Sequence, residues 1–186
     1  MKLMAHMIAT LAIIGIISGG TLAVISKWAD PLIAANKKLV TENAIFLVQP
    51  EGKSYEIVKN KDHEIYKVFD EKKVLIGYSI VFTGNGFQGA IRSMVGLDKD
   101  LKKITSIEVL EQSETPGLGT KITETDFKDQ FNGLETEPQI NWLKTPPTKP
   151  NEIMAITGAT ISSKSIVIIL NEGISKIRTL KVGGKL

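Results

Sequence analysis

The chain has 186 residues, with 23 basic and 20 acidic side chains and a formal net charge of +3. This length suits one modest domain with an appendage, and lysines that are scattered without interleaved aromatic residues argue against nucleic acid as a partner. The absence of cysteine excludes iron–sulfur clusters and zinc sites held by thiolates. The two histidines, His6 and His63, are far apart in sequence and argue against a histidine metal centre.

The N-terminal stretch is apolar. Residues 7–26 contain no charged side chain, and a helix of about twenty such residues matches the thickness of a bilayer. A secretory signal would have a shorter apolar core and a small-x-small cleavage site, whereas Lys2 on one side and Lys27 and Trp28 on the other are typical interfacial flanks. We therefore predict an uncleaved transmembrane anchor over residues 1–28, in contact with membrane lipid. A buried core helix is the alternative, and the charges do not decide the orientation.

A helical connector is predicted over residues 29–52. Asp30 followed by Pro31 fits an N-cap and a first helical position, which predicts a second helix over residues 31–46. Pro50, Glu51 and Gly52 then break the chain. The remaining residues, 53–186, are predicted to form the main domain.

Five β-like runs follow, over residues 55–58, 64–69, 74–82, 87–97 and 104–110. Their short connections favour antiparallel hairpins. Residues 84–89 spell G-x-G-x-x-G, but a dinucleotide-binding unit needs a helix directly after the last glycine. The residues that follow are strand-like, so we interpret the glycines as a tight hairpin that can approach a ligand.

The second half of the chain mixes turns and helices. Thr115, Pro116 and Gly117 fit a type II turn. A short helix is predicted over residues 123–131, ended by Asn132 and Gly133, and residues 135–150 are proline-rich and irregular, with Trp142 as a packing residue. Apolar residues at three- and four-residue spacing predict a last helix over residues 161–178. The fold class is therefore α+β, with a twisted antiparallel sheet and flanking helices.

The junction before the last helix is the most informative feature. Gly158 and Ala159 carry almost no side chain, so a bulky group can approach the backbone there. The first free N–H groups of the helix would point towards Thr160 and Ser162, which is a suitable arrangement for a phosphate. The alternative is that Thr160 only caps the helix.

Three motifs resemble one family in the same order along the chain. The run Thr157, Gly158, Ala159, Thr160 resembles the flavinylation motif of the FMN-binding subunits of Rnf complexes and of sodium-pumping NADH:quinone reductases. Residues 114–119 resemble that family's loop beside the isoalloxazine ring, and residues 86–98 resemble its hairpin.

The resemblance implies a cofactor and a set of site residues. It implies FMN bound covalently to Thr160 through a phosphoester made by a flavin transferase, with no metal. The loop that would pack on the ring comprises Glu114, Thr115, Pro116, Gly117, Leu118 and Gly119, and bare N–H groups at Gly117 and Gly119 would meet the flavin. The remaining implied contacts are Thr157, Gly158, Ala159, Ser162 and Ser163, the two serine hydroxyls facing the phosphate.

The resemblance also implies a setting. The chain would be the G subunit of an Rnf-type ferredoxin:NAD oxidoreductase that moves sodium ions or protons, in contact with other membrane subunits. Its flavin domain would lie on the extracytoplasmic side of a bacterial plasma membrane. The C subunit of a quinone reductase and an anchored scaffold without cofactor are the alternatives. The sequence contains no acid–base pair or nucleophilic triad, so we expect no turnover by this chain alone.

Overall fold

The computed structural model describes residues 2–58, 60, 63–184 and 186. The chain divides into two compact units, Met1–Val40 and Thr41–Leu186. Helix α1 runs over Lys2–Val48. Its residues up to Val40 lie in the first unit, and its last turns belong to the second unit. This helix is long and apolar enough to cross a membrane.

Helix α1 is one continuous element. The prediction of a separate helix over residues 31–46, capped by Asp30, is wrong, because Pro31 lies inside α1. An internal proline removes one helical hydrogen bond and costs about 3 kcal/mol. The residues on both sides, such as Ala29 and Leu32, are good helix formers. Helix propagation is cooperative, so the helix continues past the proline.

The second unit is built on a five-stranded antiparallel sheet in sequential order. Its strands are β1 (Ser54–Val58), β2 (Glu64–Phe69), β3 (Leu75–Asn85), β4 (Ala90–Asp98) and β5 (Ile104–Glu111). Each pairs antiparallel with the next, which confirms the predicted hairpins. Strand β4 follows the glycine-rich segment directly, so the dinucleotide-binding alternative is excluded.

One face of the sheet packs against the last helix, α3 (Thr160–Val182). Close approach is possible because both elements have a glycine at the contact. A Cβ on Gly173 of α3 would lie 2.4 Å from the Phe82 ring, and one on Gly84 of β3 would lie 2.5 Å from Ile169. The apolar face of α3 is thus fixed on the sheet, as its periodicity predicts. Its buried apolar residues are Ile166, Val167, Ile169, Leu170, Ile174 and Ile177.

The other face of the sheet is covered by the last turns of α1. Ala44, Ile45 and Val48 are buried there with Val81 and Met94. The contact is also polar, since the Ser79 hydroxyl donates to the Ile45 carbonyl (3.1 Å) and the Gln49 amide donates to the Leu97 carbonyl (2.9 Å). Residues that the sequence assigned to the connector therefore form part of this core.

The chain between β5 and α3 is more segmented than predicted. The expected helix over residues 123–131 is replaced by 3₁₀ turns at Gly119–Thr123 and Asp129–Phe131 and the one-turn helix α2 (Thr125–Lys128). A parallel pair of short strands, β6 (Asn141–Leu143) and β7 (Glu152–Met154), follows. Strand β6 lies inside the segment predicted to be irregular. The α+β class with an N-terminal apolar helix is confirmed.

Candidate functional site

The corner between β7 and α3 is a tight turn. The Ala159 N–H donates to the Ile156 carbonyl (3.0 Å), and Gly158 has a φ of +83°. A positive φ is readily adopted only by glycine. The small residue that the sequence singled out is thus required by the backbone, and the turn brings Thr160 to the first position of a helix of 23 residues.

Thr160 does not cap this helix. The N-cap is Ala159, and no side chain caps the helix start. The first helical hydrogen bond runs from the Ser163 N–H to the Ala159 carbonyl (3.0 Å). The N–H groups of Thr160, Ile161 and Ser162 therefore precede the helical ladder, where they and the helix dipole favour an anion. The alternative interpretation of Thr160 as a simple cap is wrong.

Strand β7 is held by the chain that precedes it. The Glu152 carboxylate accepts hydrogen bonds from the Thr148 N–H (3.0 Å), the Thr148 hydroxyl (3.1 Å) and the Lys149 N–H (3.1 Å). The hydrogen bond from the Thr148 N–H is the main reason that the pKa of Glu152 lies below its usual value. These bonds fix the loop that leads to the corner.

A cavity lies at this corner, and the start of α3 forms one of its walls. The loop after β5 forms a second wall of the cavity. Gly117 has a φ of +74° and the Leu118 N–H donates to the Thr115 carbonyl (3.2 Å), as in the predicted type II turn. The Gly117 N–H donates to the Thr120 hydroxyl (3.0 Å). The expectation that Gly117 offers a bare N–H group is therefore wrong, because a neighbouring hydroxyl uses it. Leu118 is 48% exposed and lies at the surface of this wall.

The hairpin between β3 and β4 forms a third wall of the same cavity. Its residues 86–89 are closed by a hydrogen bond from the Gly86 N–H to the Gly89 carbonyl (2.7 Å). At its tip Phe87 is 59% exposed.

These three segments line an open cavity of about 260 Å³. Leu118, Phe87 and Ile161 supply its apolar surface, and Thr160 and Ser162 lie at the helix start. The structure brings together seven of the predicted site residues, and two further residues, Phe87 and Ile161, were missed. The signal for both was an apolar residue in an exposed turn or first helical turn. The lining residues are Phe87, Thr115, Leu118, Gly119, Gly158, Ala159, Thr160, Ile161 and Ser162.

The other predicted site residues are Glu114, Pro116, Gly117, Thr157 and Ser163, and they do not line the cavity. The Ser163 hydroxyl donates to the Ala159 carbonyl (3.0 Å) and accepts from the Ile156 N–H (3.0 Å). The Ser162 hydroxyl donates to the Glu114 carboxylate (2.6 Å). Both serine protons are therefore given to protein acceptors, and not to a phosphate as the sequence suggested.

The residues present fit FMN. A phosphate would meet the N–H groups at the start of α3, and the ring would meet the apolar surfaces of Phe87, Leu118 and Ile161. Gly158 leaves room for this approach, because a Cβ there would meet only Leu118, at 3.5 Å. Trp142 packs against the core and lies 6.0 Å from the Lys164 ammonium, outside the cavity, in keeping with a packing role.

A larger cavity of about 1040 Å³ lies between the start of β2 and α3. It includes His63, Glu172 and Lys176 but none of the predicted site residues. We place the functional site at the smaller cavity, because only that one joins the three motifs.

Residues 86–175 match the FMN-binding domain family. Similar chains are the G subunit of an ion-translocating oxidoreductase complex from Methanosarcina acetivorans and the G subunit of a Na(+)-translocating ferredoxin:NAD(+) oxidoreductase complex from Acetobacterium woodii. The first is 35% identical over 60% of this chain and 57% of its own length, and the second is 34% identical over 67% and 61%. The matches thus span less than two thirds of these two relatives.

A third relative matches over more of its length. The G subunit of a proton-translocating ferredoxin:NAD(+) oxidoreductase complex from Clostridium ljungdahlii is 28% identical over 91% of this chain and 88% of its own.

Two solved structures share the fold. NqrC of Shewanella oneidensis has a TM-score of 0.56 at 18% identity, covering 68% of this chain and 67% of its own. The C subunit of the Na(+)-translocating NADH-quinone reductase of Parabacteroides distasonis has a TM-score of 0.54 at 22% identity, covering 61% and 59%.

Proposed function

We propose that the chain belongs to the FMN-binding domain family, which its residues 86–175 match, and that it is an electron-transfer subunit with FMN attached to Thr160. The observation that carries this proposal is the position of Thr160. It is the first residue of α3, it lines the cavity, and the N–H groups beside it precede the helical ladder.

The attachment is a phosphoryl transfer. A flavin transferase would supply FAD, and the Thr160 oxygen would form a bond to the phosphorus of the FMN half. The bond broken is the pyrophosphate P–O bond, AMP leaves, and the hydroxyl proton passes to a base on the transferase or to solvent. The helix N-terminus would stabilise the charge of the resulting phosphodiester.

The chain then orients the flavin without reacting itself. Phe87, Leu118 and Ile161 would pack on the ring, and Gly158 leaves room for it beside the backbone. When bound, FMN supplies one- and two-electron redox chemistry. A covalent tether keeps the cofactor in place even though the cavity of about 260 Å³ is shallow, so one edge of the ring stays open to electron donors and acceptors.

The setting we propose is a membrane complex. Residues 1–28 would be a single-pass anchor in lipid, residues 29–52 a connector whose last turns, from Thr41, pack on the sheet, and residues 53–186 the FMN-binding domain, on the extracytoplasmic side of a bacterial plasma membrane. The other subunits of an Rnf-type ferredoxin:NAD oxidoreductase would be its partners, and sodium ions or protons would be moved by the complex. The C subunit of a quinone reductase is the second candidate, because such a subunit from Vibrio alginolyticus is 28% identical over 45% of this chain.

The test is flavin fluorescence after denaturation. The full-length chain is co-expressed with a flavin transferase, run on SDS gels and viewed under ultraviolet light. We expect a fluorescent band for the natural chain and for Thr160→Ser, and a dark band for Thr160→Ala. Thr179→Ala, at the other end of α3, is the matched control and should stay fluorescent. A dark natural band, with the transferase active on another acceptor, would refute covalent attachment.

A further inference from the structure

Glu114 is a buried carboxylate that lies behind the cavity wall. It is 4% exposed, and burying a charge without partners is costly. Its Oε1 accepts from the Phe87 N–H (2.7 Å) and the Gln88 N–H (3.3 Å), and its Oε2 accepts from the Ser162 hydroxyl (2.6 Å). Both oxygens act as acceptors, which is the pattern of an ionised carboxylate.

These bonds connect the three motifs. Glu114 begins the loop that carries Leu118, the N–H groups of Phe87 and Gln88 belong to the hairpin, and Ser162 is in the first turn of α3. Phe87 and Ser162 both line the cavity, whereas Glu114 does not. The carboxylate thus fixes the walls against one another from behind.

Two neighbouring glycines leave the space that this carboxylate occupies. A Cβ on Gly86 would lie 2.1 Å from Glu114 Oε1, and one on Gly119 would lie 2.8 Å from Glu114 Oε2 and from the Ser162 hydroxyl. Two of the glycines in the family-like motifs are therefore explained by space for the carboxylate rather than by turn geometry.

The carboxylate also places a fixed negative charge beside the cofactor site. In the part of the chain that the structure describes, no lysine or arginine forms a salt bridge with Glu114, so neutral donors alone hold this charge. Reduction adds negative charge to a flavin, and charges interact strongly in a poorly solvated site. A fixed carboxylate therefore opposes reduction.

We propose that Glu114 is a positioning residue that joins the three walls of the flavin site and that its charge lowers the reduction potential of the bound flavin. This inference rests on the proposed function, because it takes FMN to occupy the cavity. It assigns Glu114 a role without contact to the ring, in place of the direct contact that the sequence suggested.

Two substitutions separate position from charge. Glu114→Gln retains an oxygen acceptor for the hairpin amides, and its NH₂ group can donate to the Ser162 hydroxyl, so the bonds persist while the charge is lost. Glu114→Ala removes the bonds as well. Glu56→Gln is the control, because it makes the same change in net charge at an exposed position on β1, the strand at the opposite edge of the sheet from β5.

The positioning role is measured without flavin. In the full-length protein expressed without transferase, amide hydrogen exchange at Phe87 and Gln88 should accelerate about tenfold or more in Glu114→Ala, as expected for loss of a hydrogen bond to a charged group. Glu114→Gln and Glu56→Gln should exchange like the natural chain. Unchanged exchange in Glu114→Ala would overturn the positioning role.

The charge is measured in the flavin-loaded full-length protein by spectroelectrochemical titration. We expect the midpoint potential of Glu114→Gln to be more positive than that of the natural chain, with Glu56→Gln unchanged. Equal potentials for Glu114→Gln and the natural chain would overturn the electrostatic role. If the natural chain takes up no flavin, the proposed function and the effect on the potential both fail, and hydrogen exchange alone decides the positioning role.

Discussion

The position of Thr160 follows from two features of the neighbouring sequence, a glycine turn before it and an apolar helix pattern after it. Gly158 provides the positive φ of the turn, and the apolar periodicity beyond it starts α3. Turns and helix starts depend on neighbouring residues, which is why this corner and the turn at Pro116 and Gly117 could be predicted from sequence.

The role of Glu114 could not be predicted in the same way. Its partners Phe87 and Ser162 are 27 and 48 residues away in the chain. Such contacts are set by how the sheet and α3 pack, and no local pattern specifies them. The same holds for Phe87, which enters the cavity only because the β3–β4 hairpin folds beside the loop that begins at Glu114.

Substitution of Gly86 tests the packing around the carboxylate. In Gly86→Ala the new Cβ would lie 2.1 Å from Glu114 Oε1 and 2.8 Å from Ile91 Cδ1. We expect a loss of about 1–3 kcal/mol in the free energy of unfolding, the usual cost of overpacking, together with weaker flavin fluorescence in the gel assay. Chemical denaturation in detergent measures the former.

Gly183→Ala is the matched control for this substitution. Its Cβ would meet nothing closer than 3.5 Å, so the free energy of unfolding should change by less than about 0.5 kcal/mol. Equal effects of the two substitutions would contradict the account of Gly86.

At the scale of elements, the last turns of α1 are fixed on the sheet by Arg92 of β4. This residue is 7% exposed, and its guanidinium group donates to the Thr41 hydroxyl (3.1 Å), the Glu64 carboxylate (2.9 Å) and the Glu111 carboxylate (3.2 Å). It thereby joins the helix to three strands. The sequence predicted a helix over residues 31–46, but not that its last turns cover a face of the sheet.

Arg92→Lys should weaken this junction, because an ammonium group cannot reproduce the planar fork of the guanidinium group. We expect the free energy of unfolding of the second unit to fall by about 1.5–3 kcal/mol, the range for hydrogen bonds to charged groups. The measurement is urea denaturation in detergent, with the slope of the transition unchanged.

The control is an exposed ion pair, Lys102 with Glu137 at 3.8 Å. Lys102→Gln should change the free energy of unfolding by less than about 1 kcal/mol. A loss for Arg92→Lys no larger than that for Lys102→Gln would show that the buried arginine does not hold α1.

At the scale of the whole molecule, the chain combines an exposed apolar helix with a compact α+β unit. The apolar run was evident from sequence because membrane spans are defined by length and composition. The continuity of α1 through Pro31 was not evident from the sequence, because Asp30 and Pro31 also form a good helix start. The sequence did not predict the parallel pair of β6 and β7, because strands of three residues are too short to show a periodic pattern and form only through their pairing.

Removal of residues 2–40 tests this division. The shortened chain keeps Thr41 and the turns of α1 that are buried in the second unit. We expect it to remain in the supernatant after membranes are sedimented, with a cooperative thermal transition, whereas the full chain sediments and is released only by detergent. A full chain that stays in the supernatant would contradict the proposed anchor.

The most direct test of the central claim is to locate the flavin within the chain. Full-length protein co-expressed with a flavin transferase is digested with trypsin, and the flavin-bearing peptide is sequenced by tandem mass spectrometry. The expected peptide, residues 145–164, contains six hydroxyl side chains as competing acceptors, which are Thr145, Thr148, Thr157, Thr160, Ser162 and Ser163. We predict fragment ions that place the FMN phosphoryl group on Thr160. A flavin on any other hydroxyl, or none when the transferase loads a control acceptor, would contradict the account.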